Sequence, residues 1–393
     1  MTKLTILIFV GTYLPGVKAG GPVRSIANLV EHLGSQFNFK IITTDRDLGD
    51  TNAYSNVTID GWNTVGNASV FYMSPKYQNI KNLLRILKET PHNIIYINSF
   101  FNFGFTIVPL VLRKLKLFNS PVIIAPRGEF MTGAINIKRL KKRIFLAISY
   151  VIGLYNNCTW QTSNEKEAHC IKKCKLVKIK KMYIAPNLPS MTYIDAIDHS
   201  KKEKNLLKIC YIARLSKIKN LFYILEILNK IKYNITFDIY GPIEDASYWN
   251  KCQTIIFQMP ENISTTYKGK IDNSIVLKTI SNYDLFFLPT FSENFGHSII
   301  EAMLAGTPVL ISDTTPWRGL ESAGVGWDKS LDKPQDFLDV INQLIPLTED
   351  EYFPFREKVL SYAKNYAFDK DLIQKYQDIF LNVYTDAAKT KKG

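Results

Sequence analysis

Ser292-Glu293-Asn294-Phe295-Gly296-His297-Ser298-Ile299-Ile300-Glu301-Ala302-Met303-Leu304-Ala305-Gly306 is the stretch on which the reading of this chain turns. It sets two carboxylates, Glu293 and Glu301, on either side of a short turn at Phe295-Gly296 that opens a helix. The first amides of a helix have no intrahelical acceptor, and the positive end of its dipole favours an anion. The flanking glutamates accept hydrogen bonds from hydroxyls but repel phosphate. The predicted ligand therefore carries both groups, as a nucleotide sugar does. Its diphosphate meets the amides around Asn294, Phe295 and Gly296, its ribose one carboxylate and its hexose the other. Glu301 falls among Ile299, Ile300, Met303 and Leu304, where an unpaired carboxylate is costly to bury. Bland readings stay open: a first-turn carboxylate for Glu301 and an N-cap-like residue for Glu293.

Outward from this segment, apolar β-branched runs alternate with helical patterns, which predicts parallel sheets covered by helices. The expected strands in the first half are Leu4–Val10, Phe39–Thr44, Ile94–Asn98, Val122–Ala125 and Met182–Ala185. In the second half they are Leu207–Ala213, Ile235–Tyr240, Asp284–Pro289 and Pro308–Ser312. Ser25 to Leu33 reads as the first helix and Asp369 to Tyr384 as a terminal one. The predicted fold class is α/β, two Rossmann-like domains facing across a cleft. The expected division is residues 1–190, a linker at 191–205 that is polar and lacks periodicity, 206–368, and a tail at 369–393. Ligands of open α/β sheets bind beyond the carboxyl ends of strands. Gly20-Gly21, Arg214, Gly241 and Glu293 all follow predicted strands.

The chain has 393 residues, room for two domains, and a net charge of +14. A mean hydropathy of -0.06 and no apolar run of membrane-spanning length predict a soluble protein. The apolar start reads as a buried strand rather than a secretion signal, because it leads into Gly11-Thr12-Tyr13 without a small-residue cleavage site. Five cysteines at scattered spacings suit a reducing cytoplasm. Lys138, Arg139, Lys141, Lys142 and Arg143 form one basic cluster; Lys172, Lys173, Lys175, Lys178, Lys180 and Lys181 form another. They read either as solvated surface or as attraction to an anionic membrane surface, with the protein peripheral on the inner membrane face. Nucleic acid is not expected, since no recognition motif or interleaved aromatic accompanies them.

The E-x7-E segment resembles the donor signature of the family 4 glycosyltransferases, which implies the two-domain GT-B fold. Ala213-Arg214-Leu215-Ser216-Lys217-Ile218-Lys219-Asn220 is similar to that family's strand-exit motif, in which an arginine and a lysine hold the donor diphosphate. Ala19-Gly20-Gly21-Pro22 resembles its glycine-rich acceptor-side loop. Pro186-Asn187 and Thr314-Thr315-Pro316-Trp317 also sit where such proteins have related residues. The resemblance implies a retaining transferase that moves a hexose-type sugar from a nucleoside diphosphate to a saccharide, lipid-linked in surface polysaccharide biosynthesis. It makes Glu293, Arg214 and Lys219 catalytic, and gives Glu301, Asn294, Phe295, Gly296 and Gly241 to the donor. It implies that the C-terminal helix packs on the first domain.

The chemistry agrees. A guanidinium and an ammonium aimed at a departing diphosphate stabilise charge that grows toward the transition state. Alone, Arg214 could make an interdomain salt bridge, Lys219 could be surface, and Gly241 could simply end a strand. On the acceptor side Gly20 and Gly21 permit close backbone approach or form a plain turn, and Arg24 could meet a phosphate. Many relatives carry His-Gly where this chain has Arg127-Gly128. An arginine is no base at neutral pH, so Arg127 is read as a phosphate or acidic-acceptor ligand, or as an ion-pair partner of Glu129. The first domain offers no obvious carboxylate nucleophile, so front-face attack is expected. No cofactor or metal is expected; Asp45-Arg46-Asp47 and Asp369-Lys370-Asp371 lie away from the donor motifs in sequence. A nucleotide-sugar epimerase and a non-catalytic nucleotide-sugar-binding protein are the alternatives. A NAD enzyme would need a G-x-G-x-x-G that is not present.

Overall fold

The computed structural model describes residues 3–136, 138–197 and 202–392. The chain forms two units: Met1–Leu188 together with Asp369–Gly393, and Pro189–Phe368.

The first unit is built on β1 (Thr5–Phe9), β2 (Asn38–Thr44), β3 (Trp62–Val65), β4 (Ala68–Met73), β5 (Ile94–Ile97), β6 (Val122–Ile124), β7 (Thr159–Thr162) and β8 (Lys181–Ile184). They form one sheet in the order β3-β4-β2-β1-β5-β6-β7-β8, parallel except where β3 runs antiparallel to β4. The apolar start of the chain is thus a central strand, paired with β2 and β5. Ile6, Leu7, Ile8 and Phe9 are all fully buried, as expected of a strand covered by helices on both faces. The first helix, Gly21–Leu33, begins four residues before its predicted start, because Pro22 in its first turn is already compatible with helix. The terminal helix Lys370–Lys392 belongs to this unit. Its Phe380 packs 5.3 Å from Phe37 and 5.7 Å from Tyr96, ring centre to ring centre.

The second unit is built on β9 (Leu206–Ile212), β10 (Asn234–Tyr240), β11 (Ile263–Gly269), β12 (Leu285–Leu288), β13 (Val309–Ser312) and β14 (Gly326–Lys329). The sheet is parallel, in the order β11-β10-β9-β12-β13-β14. That is the doubly wound Rossmann order, whose switch point lies between β9 and β12. The stretch 191–205, expected as a linker, instead packs on this unit where it is described. The Ile194 N–H donates to the Leu304 carbonyl at 3.2 Å. Buried Lys202 places Nζ 2.8 Å from the carbonyls of Glu203 and Leu206. The Lys202 ammonium thus serves local carbonyls, while Thr192, Asp195, Glu203 and Lys204 face solvent. Residues 198–201 lie outside the described residues.

Candidate donor site in the second unit

Because β10, β9, β12 and β13 are neighbours, the loops leaving them lie side by side, and the predicted motifs occupy those loops. After β9 the chain passes Ala213-Arg214 and makes a short helical turn, Lys217–Lys219, that ends on Asn220 in the left-handed conformation (φ 57°). The Asn220 amide donates to the Pro289 carbonyl at 3.0 Å, just beyond β12. Thr290 Oγ1 and the Phe291 N–H both donate to the Ile218 carbonyl at 2.8 Å. The end of β13 joins the same knot, with Thr314 Oγ1 donating to the Thr290 carbonyl at 2.6 Å.

This latch brings Lys219 to Glu293. Lys219 Nζ donates to Glu293 Oε2, and the two side chains are only 15% and 16% exposed. The two groups assigned separately to diphosphate and sugar are therefore direct partners in one half-buried ion pair. Arg214 lies nearer solvent, its Nη1 2.7 Å from Glu244 Oε1. That salt bridge lies within the second unit. Glu244 escaped sequence reading: it belongs to no motif, and only the adjacency of β9 and β10 brings it to Arg214.

Gly241 has a structural explanation of its own. At φ 136° a Cβ there would sit 1.9 Å from the Ala213 carbonyl oxygen. The loops after β9 and β10 press together at that point, sealed by the Leu215 N–H donating to the Pro242 carbonyl at 2.9 Å. Gly296 (φ 86°) ends the loop after β12 and immediately precedes the helix His297–Leu304. Phe295 is buried against the rings of Trp317 and His297, and the Trp317 indole N–H donates to the Phe295 carbonyl at 2.6 Å. The Phe295 ring is thus an anchor for this loop. The Asn294 N–H lies 3.3 Å from Glu293 Oε1. Glu301 is the fifth helical residue and is buried, so it is not a first-turn carboxylate.

The residues assigned to the acceptor from the sequence lie in the first unit. Gly20 (φ 65°) precedes the helix Gly21–Leu33, and the space around its Cα is open. Gly21 is the first helical residue, and burial lowers the pKa of Arg24, one turn on, to about 10. Arg127 is not paired with Glu129. The Glu129 carboxylate accepts the N–H groups of Phe100 (2.7 Å) and Phe101 (3.0 Å), while burial pushes its pKa up. Arg127 instead donates to Asn98 Oδ1 (2.7 Å from Nη2), to the Tyr96 hydroxyl (2.8 Å) and to Asn187 Oδ1. These partners follow or end β5 and β8, so Arg127 is a cation held by neutral groups at the carboxyl edge of the first sheet. In the two D-x-D triplets, Asp45 pairs with Arg46, Asp47 ties its loop to the one after β1 by accepting the Val17 N–H at 2.8 Å, and Asp369 accepts the Asp371 N–H at 2.8 Å.

Residues 194–366, nearly all of the second unit, match the sequence family described as Glycosyl transferases group 1. The chain is 22% identical over 312 residues to an uncharacterized 41.2 kDa protein in the cps region of Klebsiella pneumoniae, covering 76% of this chain and 81% of that one. Among solved structures, the Anabaena protein HepE in complex with UDP and glucose aligns with a TM-score of 0.67 at 13% identity, covering 96% of this chain and all of that one. WaaG, a glycosyltransferase involved in lipopolysaccharide biosynthesis, aligns with a TM-score of 0.63 at 13% identity, over 96% of this chain and 99% of its own. These structures share the GT-B fold of this chain.

Proposed function

We propose that this glycosyltransferase takes a hexose-type sugar from a nucleoside diphosphate and passes it, with retention, to a saccharide acceptor carried on a lipid. The product is part of a surface polysaccharide, and the enzyme works at the cytoplasmic face of the membrane. One observation carries the reading: the Lys219–Glu293 pair, latched at the switch point between β9 and β12 and backed by the helix start at Gly296. In that place a pyrophosphate meets cations while the hydroxyls of its sugar meet a carboxylate. Solved relatives of the fold that hold UDP and glucose, or act in lipopolysaccharide biosynthesis, support the same substrate class.

Lys219 and Arg214 exchange Glu293 and Glu244 for the diphosphate oxygens and stabilise them as the anomeric bond breaks. Glu293, released from the ammonium, accepts hydrogen bonds from hexose hydroxyls, and Glu301 accepts them from the ribose. The acceptor hydroxyl attacks from the face the diphosphate leaves, and a departing phosphate oxygen takes its proton. The configuration is kept without a protein nucleophile. Both cations belong to the chain, so transfer proceeds without a metal.

Incubating the enzyme with a panel of nucleotide sugars, with EDTA present, and weighing the products by mass spectrometry tests the reading directly. UDP or GDP should raise the melting temperature, and Glu301→Ala should abolish that shift. A response to NAD alone, or full donor affinity in Glu301→Ala, contradicts it.

A further inference from the structure

The helix Arg139–Ile152 of the first unit carries apolar side chains on the face turned away from the protein. Leu146 and Ser149 are buried beneath it, and Lys142 lies back with Nζ 2.8 Å from the Ala134 carbonyl and 4.9 Å over the Phe101 ring. On the other side Leu140, Ile144, Ile148 and Val151 recur every three or four residues and so lie along one stripe. All four are exposed, Leu140 to 73% and Val151 to 83%. Scattered exposed aliphatics are ordinary, but four in one stripe form a patch that needs a partner.

Charge says which partner. The helix has fourteen residues and no carboxylate among them, while exposed Arg139, Lys141 and Arg143 stand beside the stripe. Lys178 sits 5.1 Å over the ring of Tyr150, so the second basic run adjoins the same helix. No described helix is long and apolar enough to cross a membrane. An apolar stripe bordered by cations lies in the plane of a bilayer instead, with its aliphatics among the acyl chains and its cations at the headgroups.

We propose that the helix Arg139–Ile152 seats this protein on an anionic lipid bilayer through Leu140, Ile144, Ile148 and Val151, held by Arg139, Lys141 and Arg143 at the lipid phosphates. This rests on the lipid-linked-acceptor reading only for its purpose; the contact itself needs no sugar. Flotation of the full chain with vesicles of equimolar phosphatidylglycerol and phosphatidylcholine, against phosphatidylcholine alone, tests it. Binding should be about tenfold or more tighter to the anionic vesicles at low salt, and should weaken as salt rises. The double variant Ile144→Asn/Val151→Asn should lose about tenfold or more of that binding while keeping the parent melting temperature. Lys141→Gln/Arg143→Gln should lose several-fold at low salt and little at high salt. Unchanged flotation of the Asn variant overturns the proposal. So does a parent that ignores vesicles but forms a dimer the Asn variant abolishes. Titration of the same samples with nucleotide sugars reads the donor site separately. A chain that floats but binds no nucleotide sugar supports the bilayer contact and refutes the proposed function.

Discussion

Lys219 and Glu293 are 74 residues apart in the chain and joined by a direct hydrogen-bonded ion pair at the carboxyl ends of two neighbouring strands. Neither long side chain would hold this arrangement alone. Asn220 and Thr290 fix the backbones on both sides of it, so little backbone freedom remains to be lost when a ligand arrives. The pair also shields each charge from the cost of standing unpaired at 15–16% exposure.

Removing one partner should therefore cost more than the pair is worth. Lys219→Ala or Glu293→Ala alone should destabilise the chain by roughly 1–3 kcal/mol, and the double variant by less than the sum. Urea unfolding of the three variants measures this. Lys219→Ala should also lower kcat by roughly a hundredfold to a thousandfold. Additive stabilities with undiminished turnover would show that the pair is neither coupled nor engaged in transfer.

Gly241 and Gly20 separate packing from ligand access. Gly241→Ala drives a methyl group into the Ala213 carbonyl and should cost on the order of 3 kcal/mol or more, seen as a large drop in melting temperature. Gly20→Ala keeps open space around it and should cost about 1–3 kcal/mol, for its positive φ (65°) with ψ -119° alone. If the Gly20 turn borders the acceptor, activity should fall further than that loss of stability explains. Equal melting temperatures for the two variants would remove the steric account of Gly241.

The parts of this fold that the sequence announces are those that bury aliphatics. β1, β5, β9, β10 and β12 read as strands because hydrophobic runs in a parallel sheet are covered on both faces. β7 hides because its Gln161 and Thr162 are polar yet buried, satisfied by bonds such as Gln161 Nε2 to the Ala185 carbonyl at 2.7 Å. β3 and β11 hide at sheet edges, where Asn63 and Thr64 in one and Ser264, Thr265, Thr266 and Lys268 in the other break the apolar pattern. At the candidate site the charged groups were legible because their spacing is local. Their pairing was not, since Lys219 to Glu293 and Arg214 to Glu244 depend on strand order. Nor could the burial of Phe295 be read, which turns an aromatic in the motif into an anchor. The outward stripe on Arg139–Ile152 was hidden for a related reason: only the fold shows which face of an apolar helix is left uncovered.

Asp284 gives stability a specific pH dependence. Burial raises its pKa to about 6, although it accepts the Lys208 N–H at 2.7 Å. The unfolded carboxylate titrates near 3.9. Between those values the folded state binds more protons than the unfolded state, so this group's contribution falls as pH rises from about 4 to about 6 and is level above that. The difference amounts to roughly 2–3 kcal/mol. Asp284→Asn should remove this slope in urea unfolding measured across the same window. A parent and variant with parallel pH profiles would mean that Asp284 ionises in the folded chain as it does in water.

The C-terminal helix closes the first unit, and Phe380 is its deepest aromatic contact. The ring is fully buried, edge-on to Phe37 and Tyr96. Truncation to alanine leaves a cavity between the helix and the middle of the sheet at β2 and β5, at a cost of about 3–5 kcal/mol. Leu381, the next residue, is exposed, so Leu381→Ala should change stability by less than about 0.5 kcal/mol. The same helix brings Tyr376 to the Ala185 carbonyl at 3.4 Å, within the network around Gln161 and Arg127. Phe380→Ala should therefore raise hydrogen exchange at β8 as well as in the helix itself. If exchange rises only in the helix, it is a peripheral appendage rather than part of the first unit's core.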